Sequence, residues 1–157
     1  MKQEEIYLKY LEKLRLKLII KYDELGLRAA GDYAEELEAQ VTKTKMIMFG
    51  INYSQYMEYG RLAGKFPPRQ AIENWIEVKK GLPNIFYEKK KQMAFVIARK
   101  IAREGITVPN ERNKGGVISK VVDDFLGNDI HEMIEELGML WLPRIKSDVL
   151  EIFKQVA

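Results

Sequence analysis

The chain has no cysteine and a single histidine in 157 residues. The first absence removes disulfides, zinc–thiolate sites and thiol nucleophiles, and fits a reducing compartment. The second removes hydrolytic zinc chemistry, which wants two or three imidazoles at fixed spacing. His131 stands alone among Asp129, Glu132, Glu135 and Glu136, and reads as a surface side chain. No apolar run approaches the roughly 18 residues of a membrane span. The first five residues carry Glu4 and Glu5 where a secretory leader would be basic and then apolar. Ser54 and Ser119 have no G-x-S-x-G context. Asp123 and Asp124 are helical neighbours that point different ways. The glycines and lysine of residues 60–66 lack P-loop spacing. The sequence therefore supplies no catalytic set, metal site or cofactor box, and the expectation is a protein that is not an enzyme.

What is present is a globular composition, 46% hydrophobic and 31% charged, in a length suited to one domain. Net charge is +3, but unevenly placed. Residues 1–60 hold 9 basic and 10 acidic side chains, residues 61–116 hold 13 and 5, and residues 117–157 hold 4 and 8. The basic middle suits a phosphate backbone, the acidic surface of a neighbour, or simple solvation on lysine-rich helices.

Periodicity predicts a long first helix over residues 4–25. Tyr7, Tyr10, Leu14, Leu18, Tyr22 and Leu25 recur every three or four positions. Leu8, Leu16, Ile19 and Ile20 fall outside that stripe, so the apolar face is wider than one contact needs and implies a second packing partner. Asp32 and Glu35 have capping-box spacing ahead of a short acidic helix in residues 34–39. Residues 41–51 read as one strand whose apolar second half sits centrally. Pro67 and Pro68 precede a helix over residues 69–80 with Ile72, Trp75 and Ile76 inward. A helix over residues 86–104 buries Met93, Ala94, Ile97, Ala98 and Ile101, and its alanines admit a close neighbour. Residues 110–116 read as a loop with no anchoring side chain. Two helices, 118–126 and 129–141, split at Gly127 and Asn128, with Asp129 and Glu132 as a second capping box. Pro143 then breaks or kinks the chain before a last amphipathic helix over residues 144–156. The chain divides into an N-terminal helix (1–25), a core (26–109), and a loop with a helical extension (110–157), all in one domain.

Five elements between residues 53 and 105 occur together: Tyr53, Tyr56, Met57, Glu58, Tyr59 and Gly60; the Pro67–Pro68 pair; Ile72, Trp75 and Ile76; Lys79, Lys80 and Gly81; and Ala94, Ile97, Ala98, Ile101, Ala102 and Gly105. In order and spacing this resembles the tail-completion, or head–tail joining, proteins of tailed bacteriophages. Ala30 and Gly31 resemble that family's small-residue element before its first strand. The family's Pro-x-Pro-Phe element after the second helix is absent, and Ile106 to Asn110 stand in its place. The resemblance covers about residues 25–109 and leaves the last 40 open.

The resemblance implies an α+β domain, with a small antiparallel sheet packed on the Trp75 and Ile97 helices. It implies a structural subunit of the phage neck: a homo-oligomeric ring between portal or adaptor and tail, made in the host cytoplasm and carried in the virion. Tyr53, Tyr56, Glu58, Tyr59, Gly60, Arg61, Lys65 and Phe66 would then lie where neighbours meet, with Trp75, Ile76, Ile97 and Ile101 holding the fold. Tyrosine and arginine suit such a place, although three tyrosines at this spacing also suit half-buried packing. The alternative is a DNA-binding module using residues 61–116. That segment interleaves Lys with Glu and carries no reader motif. The two readings meet where a ring surrounds packaged DNA.

Overall fold

The structure, a computed structural model, describes residues 2–27, 35–50 and 54–156. Ala30, Gly31, Asp32, Ile51 and Tyr53 lie outside them. The fold is α+β: mostly helical, with one two-stranded antiparallel sheet, a long N-terminal helix and a long C-terminal helix. In chain order the elements are α1 (Gln3–Glu24), β1 (Glu38–Val41), β2 (Met46–Phe49), α2 (Ser54–Tyr59), α3 (Arg69–Val78), α4 (Asn84–Glu88), α5 (Lys90–Glu104), α6 (Ser119–Asp124), a π-helical turn (Phe125–Asp129) and α7 (Ile130–Val156).

Helix α1 organises the larger body. Ile6, Tyr10, Leu11, Leu18 and Tyr22 are buried along it. Tyr10 and Ile6 pack with Phe125 and Met133, while Leu18 and Tyr22 pack with Leu37, Val117 and Val121. The sheet covers another side of α1. Its strands pair from Glu38 opposite Phe49 to Val41 opposite Met46. The expected single strand over residues 41–51 is thus a hairpin. Thr42 makes the turn: its hydroxyl accepts hydrogen bonds from the Lys45 and Thr44 amides. A threonine side chain does here what glycine or asparagine usually does. The apolar second half is not central either, since a two-stranded sheet has no centre, and Ile47 and Phe49 face outward. Of the acidic helix expected over residues 34–39, residue 34 lies outside the described residues and Glu35 is helical, but Glu36 is a bend, Leu37 is buried against Leu18 and Tyr22 of α1, and β1 begins at Glu38.

The smaller body is α3, α4 and α5. Ile72 and Ile76 meet Ala94 and Ala98, all buried, with Trp75, Ile97 and Ile101 half-buried around them. The alanines lack bulk, so the two helices approach closely. The single helix expected over residues 86–104 is two, joined at Lys89, whose backbone leaves the helical region (φ −114°, ψ 40°).

The C-terminal third departs furthest from the sequence reading. Gly127 and Asn128 do not split two helices. They sit in the π turn that joins α6 to α7 without interruption. Asp129 is no N-cap but a buried side chain. Pro143 lies inside α7, where it removes one rung on an exposed part of a 27-residue helix. Residues 110–116 are irregular, as expected, but anchored. Asn113 is buried and donates to the Met57 carbonyl at 2.8 Å, while its own oxygen accepts from the Gly115 amide at 2.9 Å.

Candidate interaction surface

The candidate surface grows from a narrow junction between the two bodies. Arg61 and Ile106 form an isolated antiparallel bridge, with N–H···O distances of 2.8 and 2.7 Å. The chain leaves the larger body at Gly60 and returns at Gly105, both at positive φ. A Cβ on Gly60 would stand 2.1 Å from the Ile106 carbonyl oxygen, and one on Gly105 would stand 2.4 Å from that of Arg61. Only glycine permits this approach.

Around the junction the side chains are turned outward. Tyr59 is 80% exposed and Leu62 90%. Tyr56 is exposed on α2, and the Arg61 guanidinium lies 5.5 Å over its ring. Arg61 also donates to the Lys65 carbonyl at 3.3 Å, which draws the 61–65 loop together. Phe66 stands tilted against Phe95 at 5.8 Å, and Arg69 lies 6.0 Å over the Phe95 ring. The result is an aromatic and arginine-bearing patch reaching from α2 to α5.

Of the residues singled out in the sequence, Tyr56, Tyr59, Gly60, Arg61, Lys65 and Phe66 come together here. Glu58 does not. Its carboxylate accepts the Ile118 amide at 2.8 Å and ties α2 to the start of α6. Leu62, Arg69 and Phe95 belong to the patch but were missed. Leu62 has no periodic partner to mark it, and Phe95 lies one position from the buried seam of its helix. Trp75, Ile97 and Ile101 border the small core, whose centre is Ile76 with Ala94 and Ala98.

The titratable groups cluster elsewhere, between α1 and the C-terminal helices. Lys9 pairs with Glu136, Lys13 with Asp129 and Glu132, and Lys17 with Asp124 and Asp129. Burial alone pushes the Asp129 carboxyl up, but hydrogen bonds from Lys13 and Lys17 outweigh it and hold it below the ordinary value. Lys13 is raised by its bonds to Asp129 and Glu132, and Lys17 by its bonds to Asp124 and Asp129. Tyr10 is pushed up to about 12, first by burial and then by its hydrogen bond to Glu136. Every acid in this ladder has a lysine or tyrosine partner, so it reads as a register device for helix packing.

Among the described residues no group of three His, Asp or Glu side chains could hold a metal, and no helix is long and apolar enough to cross a membrane. Compared with protein-family models, characterised proteins and solved structures, the chain matches none of them.

Proposed function

We propose that this chain is a structural subunit of a bacteriophage neck, one copy of a ring that joins the head, at its portal or adaptor, to the tail. The observation that carries the reading is the exposed patch of Tyr56, Tyr59, Leu62, Phe66 and Arg61 at the Arg61–Ile106 junction. Two of its residues, Tyr56 and Tyr59, belong to the element in which the sequence resembles tail-completion proteins, and Arg61 and Phe66 lie in the loop that the resemblance places at the contact. Rigid aromatic rings with an adjacent guanidinium are the usual make-up of protein–protein hot spots. Exposed aromatic and aliphatic side chains grouped in this way mark a binding surface more often than they mark bare solvent contact.

The DNA-binding reading has less support. In the basic segment Lys90 pairs with Glu77, Arg103 pairs with Glu104, and Arg61 and Arg69 lie over aromatic rings. These four of the segment's 13 basic side chains are engaged within the protein, two of them by a carboxylate. Mass analysis and imaging of purified virions test the neck assignment: the chain is expected at a fixed copy number between head and tail. Its absence from virions overturns the reading. Duplex binding with a steep salt dependence would favour DNA contact.

A further inference from the structure

Helix α7 changes the face it uses. Its first part turns Ile130, Met133, Leu137 and Leu140 toward α1. Leu142 lies two residues beyond Leu140, about 200° around the helix. From there Leu142, Ile145, Val149, Ile152 and Phe153 form a new apolar edge, between 45% and 70% exposed. Every described side chain from residue 141 to 155 is exposed.

The register explains why nothing covers this edge. Lys9 meets Glu136 and Lys17 meets Asp124, so α1 and the C-terminal helices run antiparallel. The start of α1 comes level with Trp141 and Arg144, where Gln3 and Glu4 share a surface recess with them. Beyond that point α7 continues past the end of α1 as an arm of about three turns.

A second uncovered surface lies on α1 itself. Leu8, Leu16 and Ile20 are 48–56% exposed, on the side turned away from the core. They span about 18 Å of helix, and the arm's edge from Leu142 to Phe153 spans about 17 Å. Glu12, between Leu8 and Leu16, is paired with Arg15 at 3.4 Å, and the arm carries both Lys146 and Asp148, so the match between the two surfaces is apolar rather than electrostatic. They cannot meet within one chain, because the arm points away from α1 beyond its first residue. One partner in a standard interface gives up roughly 800 Å², and the arm's five large apolar side chains at these exposures supply roughly two-thirds of it.

We propose that the arm at residues 142–153 docks on the Leu8–Leu16–Ile20 face of a second copy of this chain. The contact is head-to-tail: each copy offers its arm and receives another. Such an interface repeats from copy to copy, giving a ring where the rotation between copies closes and a filament where it does not. The proposal deepens the neck-ring reading and rests on it for its setting, but the contact can be measured on the purified chain alone.

Sedimentation of the full chain over a wide concentration range is the test, with two variants. One is the double substitution Ile145→Glu with Val149→Glu, and the other is Leu16→Glu. All three positions are exposed, and circular dichroism checks that each variant is folded. The wild type is expected to associate reversibly, and each variant to weaken association at least tenfold. An equimolar mixture of the two variants is expected to recover a one-to-one pair, because one intact arm then meets one intact α1 face. The absence of native cysteine allows a second readout: Leu16→Cys with Val149→Cys in one chain is expected to give disulfide-linked multimers. Four results overturn the proposal: a wild type that stays monomeric, variants that associate as it does, a mixture that recovers nothing, or capture of the arm by anionic lipid vesicles in place of self-association. Loss of the chain from virions would defeat the neck assignment and leave this contact standing.

Discussion

Arg61 and Ile106 exchange both of their backbone hydrogen bonds, and with the Gly64 amide donating to the Ala102 carbonyl beside them they fasten the start of the small helical body to its end. Glycine on each side makes the approach possible. Gly60→Ala and Gly105→Ala are each expected to lower stability by at least about 2 kcal/mol, combining positive-φ strain with a backbone clash. Gly138→Ala, in open space on α7, is expected to be neutral or to stabilise by up to about 1 kcal/mol. Urea unfolding of the three variants checks the contrast.

Asn113 links the irregular segment to α2. Removing its amide in Asn113→Ala leaves the Met57 carbonyl and the Gly115 amide without their partner, a loss of about 1–3 kcal/mol. Trypsin is expected to spare Arg112 and Lys114 in the folded wild type and to cut there readily in the variant. Early cleavage at both sites in the wild type would count against an anchored loop.

Stability should fall at both ends of the pH scale. Asp129, Asp124 and Glu136 have folded values below their unfolded ones. Their contribution is complete above the unfolded carboxylate range, about pH 4, and is lost as pH falls through the lowered values. Lys13, Lys17 and Tyr10 have folded values above their unfolded ones. Theirs is complete below about pH 10 and is lost as pH rises through the raised values. Melting temperature against pH is expected to show a plateau between these limits. Substituting Asp129→Asn should blunt the acid side, and a profile unchanged by it would show that the ladder contributes little.

Ile76 is fully buried and Trp75 only half. Ile76→Ala is therefore expected to destabilise by about 2–5 kcal/mol, and Trp75→Ala by less. Matching denaturant midpoints for the two would place the indole deeper than the structure does.

Tyr59→Ser combined with Leu62→Ser should change stability by no more than about 0.5 kcal/mol, since both side chains are exposed. If the patch is the neck contact, phage carrying the change should accumulate unjoined heads and tails. Normal particle yield from a stable variant would argue that the contact lies elsewhere.

Helical periodicity was enough to place α1, α3 and the Ala94–Ala98 seam, because each repeats apolar residues over several turns. The hairpin was hidden because its turn uses threonine and lysine, and a hydroxyl accepting two amides leaves no mark like Asn-Gly. Gly127 and Asn128 looked like a stop because glycine lowers helix propensity, yet Phe125 and Asp129, buried on either side of them, hold the chain helical. Leu8, Leu16 and Ile20 were visible as surplus apolar residues on α1. The lean of the arm was not visible, since it follows from where α1 ends in space. The patch was half legible: its tyrosines stood out, whereas Leu62 and Phe95 join it only through folding.

The π turn has one more effect. A wide turn of this kind carries one residue more than the helix around it needs, so all that follows Asp129 is rotated by about 100° from where an unbroken helix starting at Ser119 would point. The azimuth of α7, and with it the compass bearing of the Leu142–Phe153 edge, is thus encoded some fifteen positions upstream. Deleting Gly127 alone would re-aim that edge without altering one of its side chains, and would separate what the edge is made of from where it faces.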